Sequence, residues 1–390
     1  MKKYAAIRNT GRERPPVRRR TMVRSPYTGI TVTSYFRDGF LAGFTGVLNG
    51  RSIKYWVDLG GDDIPDFFYE LFTCLNIVCP HGLAWGRDEL PTRPVRVRFE
   101  VPLSDAGMRF IMDCSRLCGM VLELDAKESI GLSEHYIGGE GWHIAFSGGK
   151  DSGLTYCMLD ELGESISMSN NVDEPALYIP DVPVNRMRLR MWNQSYLAAV
   201  IVHALWNRRN VVALGFNYSS QPRLPNMYIF ESNDFLRCLN RYLCEVCDIS
   251  TTSIISSLTG SSVQRLLHER YPDYVQTFTP SCGKLRQRLL HLYCGIPLPD
   301  AFDGDTDLSG YHEPDGPGYA VIRCETEHMM VHLRGHPCVG DNPLQHGVEH
   351  TWVDRYSSNE ALPVVSPSGL DCIISDHFEP DFDYRLESFG

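Results

Sequence analysis

The sequence predicts an α/β protein with a doubly wound, mostly parallel sheet at its centre, a small α+β domain before it and an irregular, β-containing extension after it. Three observations carry that prediction. The apolar run Trp142-His143-Ile144-Ala145-Phe146 breaks into a glycine turn and opens at once into the helical pattern Gly153 to Leu162, as a buried parallel strand does when it hands over to its crossover helix. A strongly apolar helix, Gln194 to Asn207, leads into a second apolar run, Val211 to Gly215. Between residues 28 and 130 the periods are mixed. Val95, Val97, Phe99 and Val101 alternate with Arg96, Arg98 and Glu100, whereas Phe67, Phe68, Leu71, Phe72 and Leu75 recur at helical spacing.

Taken in order, residues 1–27 read as a basic arm, 28–135 as the α+β domain, 136–297 as the central α/β domain and 298–390 as the extension. In the first domain Ile30 to Phe36 has strand composition, Pro65 can open a helix behind Asp62 and Asp63, and Ser104 can cap a second helix that stops at Gly119. In the central domain the strand at 142–146 comes first and Ala176-Leu177-Tyr178-Ile179 is expected as the second. The helix 194–207, the strand 211–215 and an acidic-aromatic helix from about Phe230 to Leu243 follow. In the extension, rich in Asp, Gly, Pro and His, Tyr319 to Arg323 and His328 to Leu333 look like strands.

Composition excludes several classes. At 43% apolar and 22% charged over 390 residues the chain reads as an ordinary soluble protein, and no apolar stretch approaches the length of a membrane span, Ala198 to Trp206 being far too short. Residues 1–24 carry nine Lys or Arg against Glu13 alone, a surplus of eight positive charges. With −11 for the whole chain the remainder stands near −19, so only the arm suits a polyanion such as tRNA; a solvated tail is the other reading. Pro15-Pro16-Val17 followed by three arginines supplies no apolar core for an export signal. Thirteen scattered cysteines then fit a reducing cytoplasm.

The chemistry concentrates at Ser147-Gly148-Gly149-Lys150-Asp151-Ser152. A strand that turns through glycines into a helix makes an anion site, because the first turn's free N–H groups and the positive end of the helix dipole converge there. Gly148 and Gly149 allow close approach and positive φ, Ser147 and Ser152 offer hydroxyls, and Lys150 brings a mobile cation. Asp151 makes sense beside phosphate if Mg²⁺ bridges the two. Gly149-Lys150 is followed by Asp151 rather than Ser or Thr, so the loop is not a Walker A. Two other readings stand beside it: a nucleophile elbow centred on Ser147, which lacks its first glycine, and a plain turn. Gly215 and Asn217, at the end of the later strand, are expected to face the same crevice.

Ser-Gly-Gly-x-Asp-Ser after a first strand resembles the pyrophosphate loop of the N-type ATP pyrophosphatases, and all six positions match. The resemblance implies an adenine-nucleotide α-hydrolase-like (HUP-type) fold and Mg²⁺–ATP bound at residues 147–152. It also implies cleavage of ATP to AMP and pyrophosphate, which activates a carboxyl or carbonyl oxygen for a nitrogen or sulfur nucleophile. Lys150 and Asp151 would be the catalytic pair, and Gly215 and Asn217 would join the loop in holding the nucleotide. Gly215-Phe216-Asn217-Tyr218-Ser219-Ser220, the acidic-aromatic helix, Thr251-Thr252-Ser253 and Thr279-Pro280-Ser281-Cys282 follow the running order of the 7-cyano-7-deazaguanine synthases over about 150 residues. In that family the late Ser-Cys opens a zinc-binding cysteine cluster. Here Cys282 is followed by Gly283-Lys284 and no close cysteine pair, which leaves the zinc and the nitrile-forming reaction open.

Cys244 and Cys247, two residues apart, could grip a metal, and with Cys282 they resemble the cluster-binding cysteines of some tRNA thiolases, which would supply iron–sulfur chemistry and a sulfur-transfer reaction. Buried packing on an apolar helix face is the blander alternative. Cys324, His328, His332, His336 and Cys338 are dense in ligand types, and zinc there competes with histidines in a β-segment. Asp303, Asp305 and Asp307 read as a solvated acidic turn. The resulting expectation is an ATP-dependent, AMP-forming ligase acting on an unidentified acceptor. Sulfur transfer and a non-catalytic nucleotide-binding or partner-binding protein are the alternatives, and a homodimer is compatible with each.

Overall fold

A computed structural model describes residues 29–78, 94–117, 119–126, 135–170, 176–178, 194–217, 232–275, 285–297, 308, 320–336, 364–370 and 373. The protein is α/β and holds two sheets among these residues. The first is six-stranded and mixed. It is built from β1 (Gly29–Asp38), β2 (Leu41–Leu48), β3 (Arg51–Asp58), β4 (Val95–Phe99), β5 (Leu122–Ala126) and β8 (Ala176–Tyr178), in the order β5-β4-β1-β2-β3-β8. The second is four-stranded and wholly parallel: β6 (Trp142–Phe146), β7 (Ile166–Asn170), β9 (Val211–Ala213) and β10 (Ser250–Thr252), in the order β10-β9-β6-β7.

Local sequence explains most of the first sheet. Asn49 and Gly50 both take positive φ (48° and 79°), the conformation a two-residue hairpin turn requires, and so set β2 and β3 in register. Helix α1 (Asp66–Val78) starts behind Pro65, and its stripe Phe67, Phe68, Leu71, Phe72 and Leu75 is fully buried. Helix α2 (Asp105–Leu117) is capped by Ser104, whose hydroxyl accepts from the Gly107 amide at 2.9 Å, and its chain leaves through Gly119 at φ 70°.

Helices cover both faces of the parallel sheet. On one side lie α3 (Lys150–Glu161) and α6 (Gly260–Arg270), packed over Trp142, Ile144 and Ala213. On the other lie α4 (Gln194–Trp206) and α5 (Asn233–Val246), whose apolar residues share one core with α1 and α2 of the first sheet. The Phe110 ring sits 5.3 Å from that of Tyr242, and Arg109 pairs with Glu245 at 2.6 Å across this seam. Among the described residues no helix is long and apolar enough to cross a membrane.

Two sequence expectations are corrected. Residues 176–178 do not form the second strand of the central sheet; as β8 they pair antiparallel with β3, Tyr55 opposite Leu177, and close the edge of the first sheet. The second strand of the parallel sheet is β7, whose Ser-rich sequence carries little apolar signal. In the extension, residues 320–323 and 328–332 lie in one helix, α9 (Ala320–His332), and not in strands. Buried Glu325 of that helix accepts from the Ser261 amide at 2.7 Å and pairs with Arg286 of α8 (Leu285–Tyr293). The short helix α7 (Pro272–Val275) follows α6, and residues 364–370 return to the parallel sheet, where the Thr252 hydroxyl donates to the Val365 carbonyl at 2.8 Å. The basic arm, residues 303–307, Cys282 and Cys338 lie outside the described residues.

The serines of β7 serve a buried polar chain. The Leu59 carbonyl can only accept, so His203 donates to it from Nε2 (2.9 Å) and uses Nδ1 to accept from Ser169 Oγ (2.7 Å). Ser169 Oγ in turn accepts from His143 Nε2 (2.7 Å), and His143 Nδ1 accepts from Ser167 Oγ (2.8 Å). Burial first, then the nearby His203 and Arg209, pushes His143 down to about 4. The folded ring therefore refuses a proton that the unfolded chain accepts near its ordinary pKa of about 6.5. Stability should be level above that pH and fall as pH drops from there toward 4, by on the order of 3 kcal/mol from this residue. His268, also held at about 4 by burial, adds to the same window. Urea unfolding from pH 8 to pH 4 should therefore show a smaller slope in His143→Gln than in wild type, and equal slopes would remove His143 from the account.

Candidate functional site

The parallel sheet places the glycine loop at its switch point. From β6 the chain runs through α3 to β7 on one side, then returns to the other side of β6 with β9. The two connections diverge beyond the carboxyl ends of β6 and β9, the position at which ligands of open α/β sheets bind. Residues 147–152 leave β6 and residues 214–217 leave β9, so Gly215 and Asn217 do meet the loop.

Within the loop, Gly148 takes φ 74°, which explains glycine at that position. Gly149 is the N-cap of α3 and supplies no side-chain cap, so the helix begins with unsatisfied donors. Among the described residues the amides of Gly148, Lys150 and Asp151 make no hydrogen bond. Among the described residues a side chain added at Gly148 would meet nothing within 4 Å, and one at Gly149 only the Ser147 hydroxyl at 3.5 Å, so they leave this face of the turn open.

The hydroxyls divide their work. Ser152 is buried, accepts from the Ser147 amide and donates to the Gly149 carbonyl, each at 3.2 Å; it shapes the loop from inside. Ser147 is exposed, and its Oγ stands 3.1 Å from that of Ser152. Gly215 presses on the same backbone: a Cβ there would stand 2.8 Å from the Ser152 nitrogen and 3.1 Å from the Asp151 carbonyl carbon. Only glycine lets β9 and the loop approach this closely. The buried Ser253 hydroxyl, just past β10, donates to the Phe216 carbonyl at 2.6 Å and fixes the strand end behind Gly215. In the sequence Ser253 stands only as part of a polar turn; a buried serine beside a glycine strand end is a signal that spacing alone does not reveal.

Charge converges on one atom. Lys150 Nζ lies 2.6 Å from Asp151 Oδ1, and Asn217 Nδ2 donates to the same oxygen at 2.7 Å. Asp151 Oδ2 has no partner among the described residues. One committed oxygen and one open oxygen next to free amides suit a hard dication that bridges carboxylate and phosphate, so the residues present fit Mg²⁺ with a polyphosphate.

The cysteine pair behaves differently from the expectation of a shared apolar face. Cys244 is exposed and its thiol donates to the Arg241 carbonyl at 3.0 Å, whereas Cys247, just past the end of α5, is fully buried and its thiol is pushed up to about 12, chiefly by burial. The Tyr293 ring meets the exposed His332 edge-on at 5.1 Å. Among the described residues no group of three or more His, Cys, Asp or Glu is arranged to hold a metal ion.

No family model matches the chain, and comparison with curated proteins and with solved structures returns no match.

Proposed function

We propose that the protein binds Mg²⁺–ATP on residues 147–152 and cleaves it between the α- and β-phosphates, adenylating an acceptor oxygen. In fold terms the parallel sheet is then of the adenine-nucleotide α-hydrolase-like type. The observation that carries this reading is the uncapped start of α3: a positive-φ glycine turn with three free amides, at the switch point, beside a half-committed aspartate.

The acceptor oxygen attacks the α-phosphorus, the bond to the bridging oxygen breaks, and pyrophosphate leaves with the electron pair. A nitrogen nucleophile then displaces AMP from the activated carbon. Bound Mg²⁺ supplies charge neutralisation on the phosphate oxygens. The chain's own contribution is positioning and electrostatics. The amides of Gly148, Lys150 and Asp151 donate to the departing phosphates, Lys150 swings from Asp151 to add its cation, and Asp151 offers Oδ2 to the metal. No protein nucleophile is needed, and Ser147 has no histidine base among its hydrogen-bond partners within the described residues. Sulfur transfer through Cys247 is disfavoured too, since a thiol pushed up to about 12 supplies little thiolate at neutral pH.

ATP carrying label in both the α- and γ-phosphates, incubated with Mg²⁺, ammonia and a panel of carboxylic acids and cyclic amides, should yield acceptor-dependent AMP and pyrophosphate. ADP and phosphate as the dominant acceptor-dependent products would overturn the assignment.

A further inference from the structure

Asn217 stands apart from the other polar residues around the glycine loop. It is 7% exposed, and its amide nitrogen is spent on a protein carboxylate, Asp151 Oδ1, at 2.7 Å. The backbone beneath it cannot drift, because Gly215 is in near contact with the Asp151–Ser152 peptide and Phe216 is tied to Ser253. Lys150 holds the same oxygen at 2.6 Å from a long, flexible stem, and in the proposed reaction it leaves for the phosphates. Asp151 would then be free to rotate and turn either oxygen toward the metal, unless a second donor stays in place.

We propose that Asn217 is a positioning residue that keeps Asp151 oriented: it holds Oδ1 throughout, so that Oδ2 alone is presented to the metal of the metal–nucleotide complex. This rests on the Mg²⁺–ATP reading above. It replaces the sequence-based role of Asn217 as a nucleotide contact with one exerted through Asp151. Partners behind a metal ligand commonly contribute about ten- to a hundredfold in metal affinity, and the same scale is expected here.

The test uses the full chain, Mn²⁺ in place of Mg²⁺, and an ATP analogue with a methylene between the α- and β-phosphorus atoms, which cannot be cleaved there. Paramagnetic resonance counts free Mn²⁺, and calorimetry measures the analogue without metal. Asn217→Ala should weaken Mn²⁺ binding to the protein–analogue complex about tenfold or more, with metal-free analogue affinity changed less than about twofold. Asn217→Leu, close to asparagine in size but without the donor, should behave likewise, which separates the hydrogen bond from packing. In an Asp151→Asn background, Asn217→Ala should cost nothing further. Variants that keep wild-type Mn²⁺ affinity would overturn the positioning role, as would parallel loss of metal-free analogue binding, the mark of a collapsed loop. A wild-type protein that binds no analogue at all overturns the nucleotide reading and this inference with it. The wild-type titration alone tells the two failures apart.

Discussion

Asp151→Asn is expected to lower Mg²⁺-dependent turnover by at least about a hundredfold, the scale seen when one preorganised charge-stabilising group is removed from an active site. The substitution keeps the size of the side chain and a carbonyl oxygen, but removes the charge that would draw a dication toward the phosphates. Folding should be little affected. The Lys150–Asp151 pair is partly exposed, with side chains 16% and 30% accessible, and such pairs contribute within about 1 kcal/mol. Activity and Mg²⁺ titrations on the variant, with thermal melting of the same preparation, separate the two effects. Normal turnover with an unchanged Mg²⁺ requirement would show that Asp151 does not serve the metal.

The largest effect on stability is expected at α9. Glu325 is fully buried on α9; it accepts from the Ser261 amide in the first turn of α6 and pairs with Arg286, which also donates to Thr326 at 3.0 Å. Glu325→Ala would remove the carboxylate that Arg286 and the first turn of α6 share. Breaking a buried pair from one side costs about 3–5 kcal/mol, more than an exposed pair ever contributes. Urea unfolding should register that loss, and protease should cut within residues 320–336 far sooner than in wild type. Glu325→Gln, which keeps the shape, should lose less. A Glu325→Ala protein within about 1 kcal/mol of wild type would show that α9 docks without this contact.

The parts of the protein that sequence made legible are those where local pattern and tertiary use agree. The strand 142–146, its glycine turn and α3 could be read because apolar run, breaker and helix follow one another without tertiary help. The stripe of α1 and the Ser104 cap were equally plain. What misled was polarity inside the core and helix formation supported from outside. In β7, Ser167 and Ser169 look like loop residues, yet they are needed to satisfy His143 and His203, a pairing visible only once the two strands lie side by side. Ala176-Leu177-Tyr178 is a good strand, but nothing local says which sheet receives it. Met329, Met330 and Val331 suggested extended chain, whereas Glu325, four residues earlier, secures a helix through a partner on α8. At the site, the loop residues were legible as a motif; the sharing of Asp151 Oδ1 between Lys150 and Asn217 was not, because it depends on how far β9 carries its end toward α3.

The placement of β8 has a consequence for the order in which the chain can become native. Lys54, Tyr55 and Trp56 find their last sheet neighbours only at residues 176–178, after β6, the glycine turn, α3 and β7 have all been made. During vectorial synthesis the first sheet emerges with β3 as a bare edge, and an unpaired edge invites pairing with other chains. Pairings between strands so distant in sequence are slow to form, because the intervening chain must lose its freedom first. The nascent protein therefore passes through a long interval in which the glycine loop is already synthesised while an earlier sheet still waits for its closing strand.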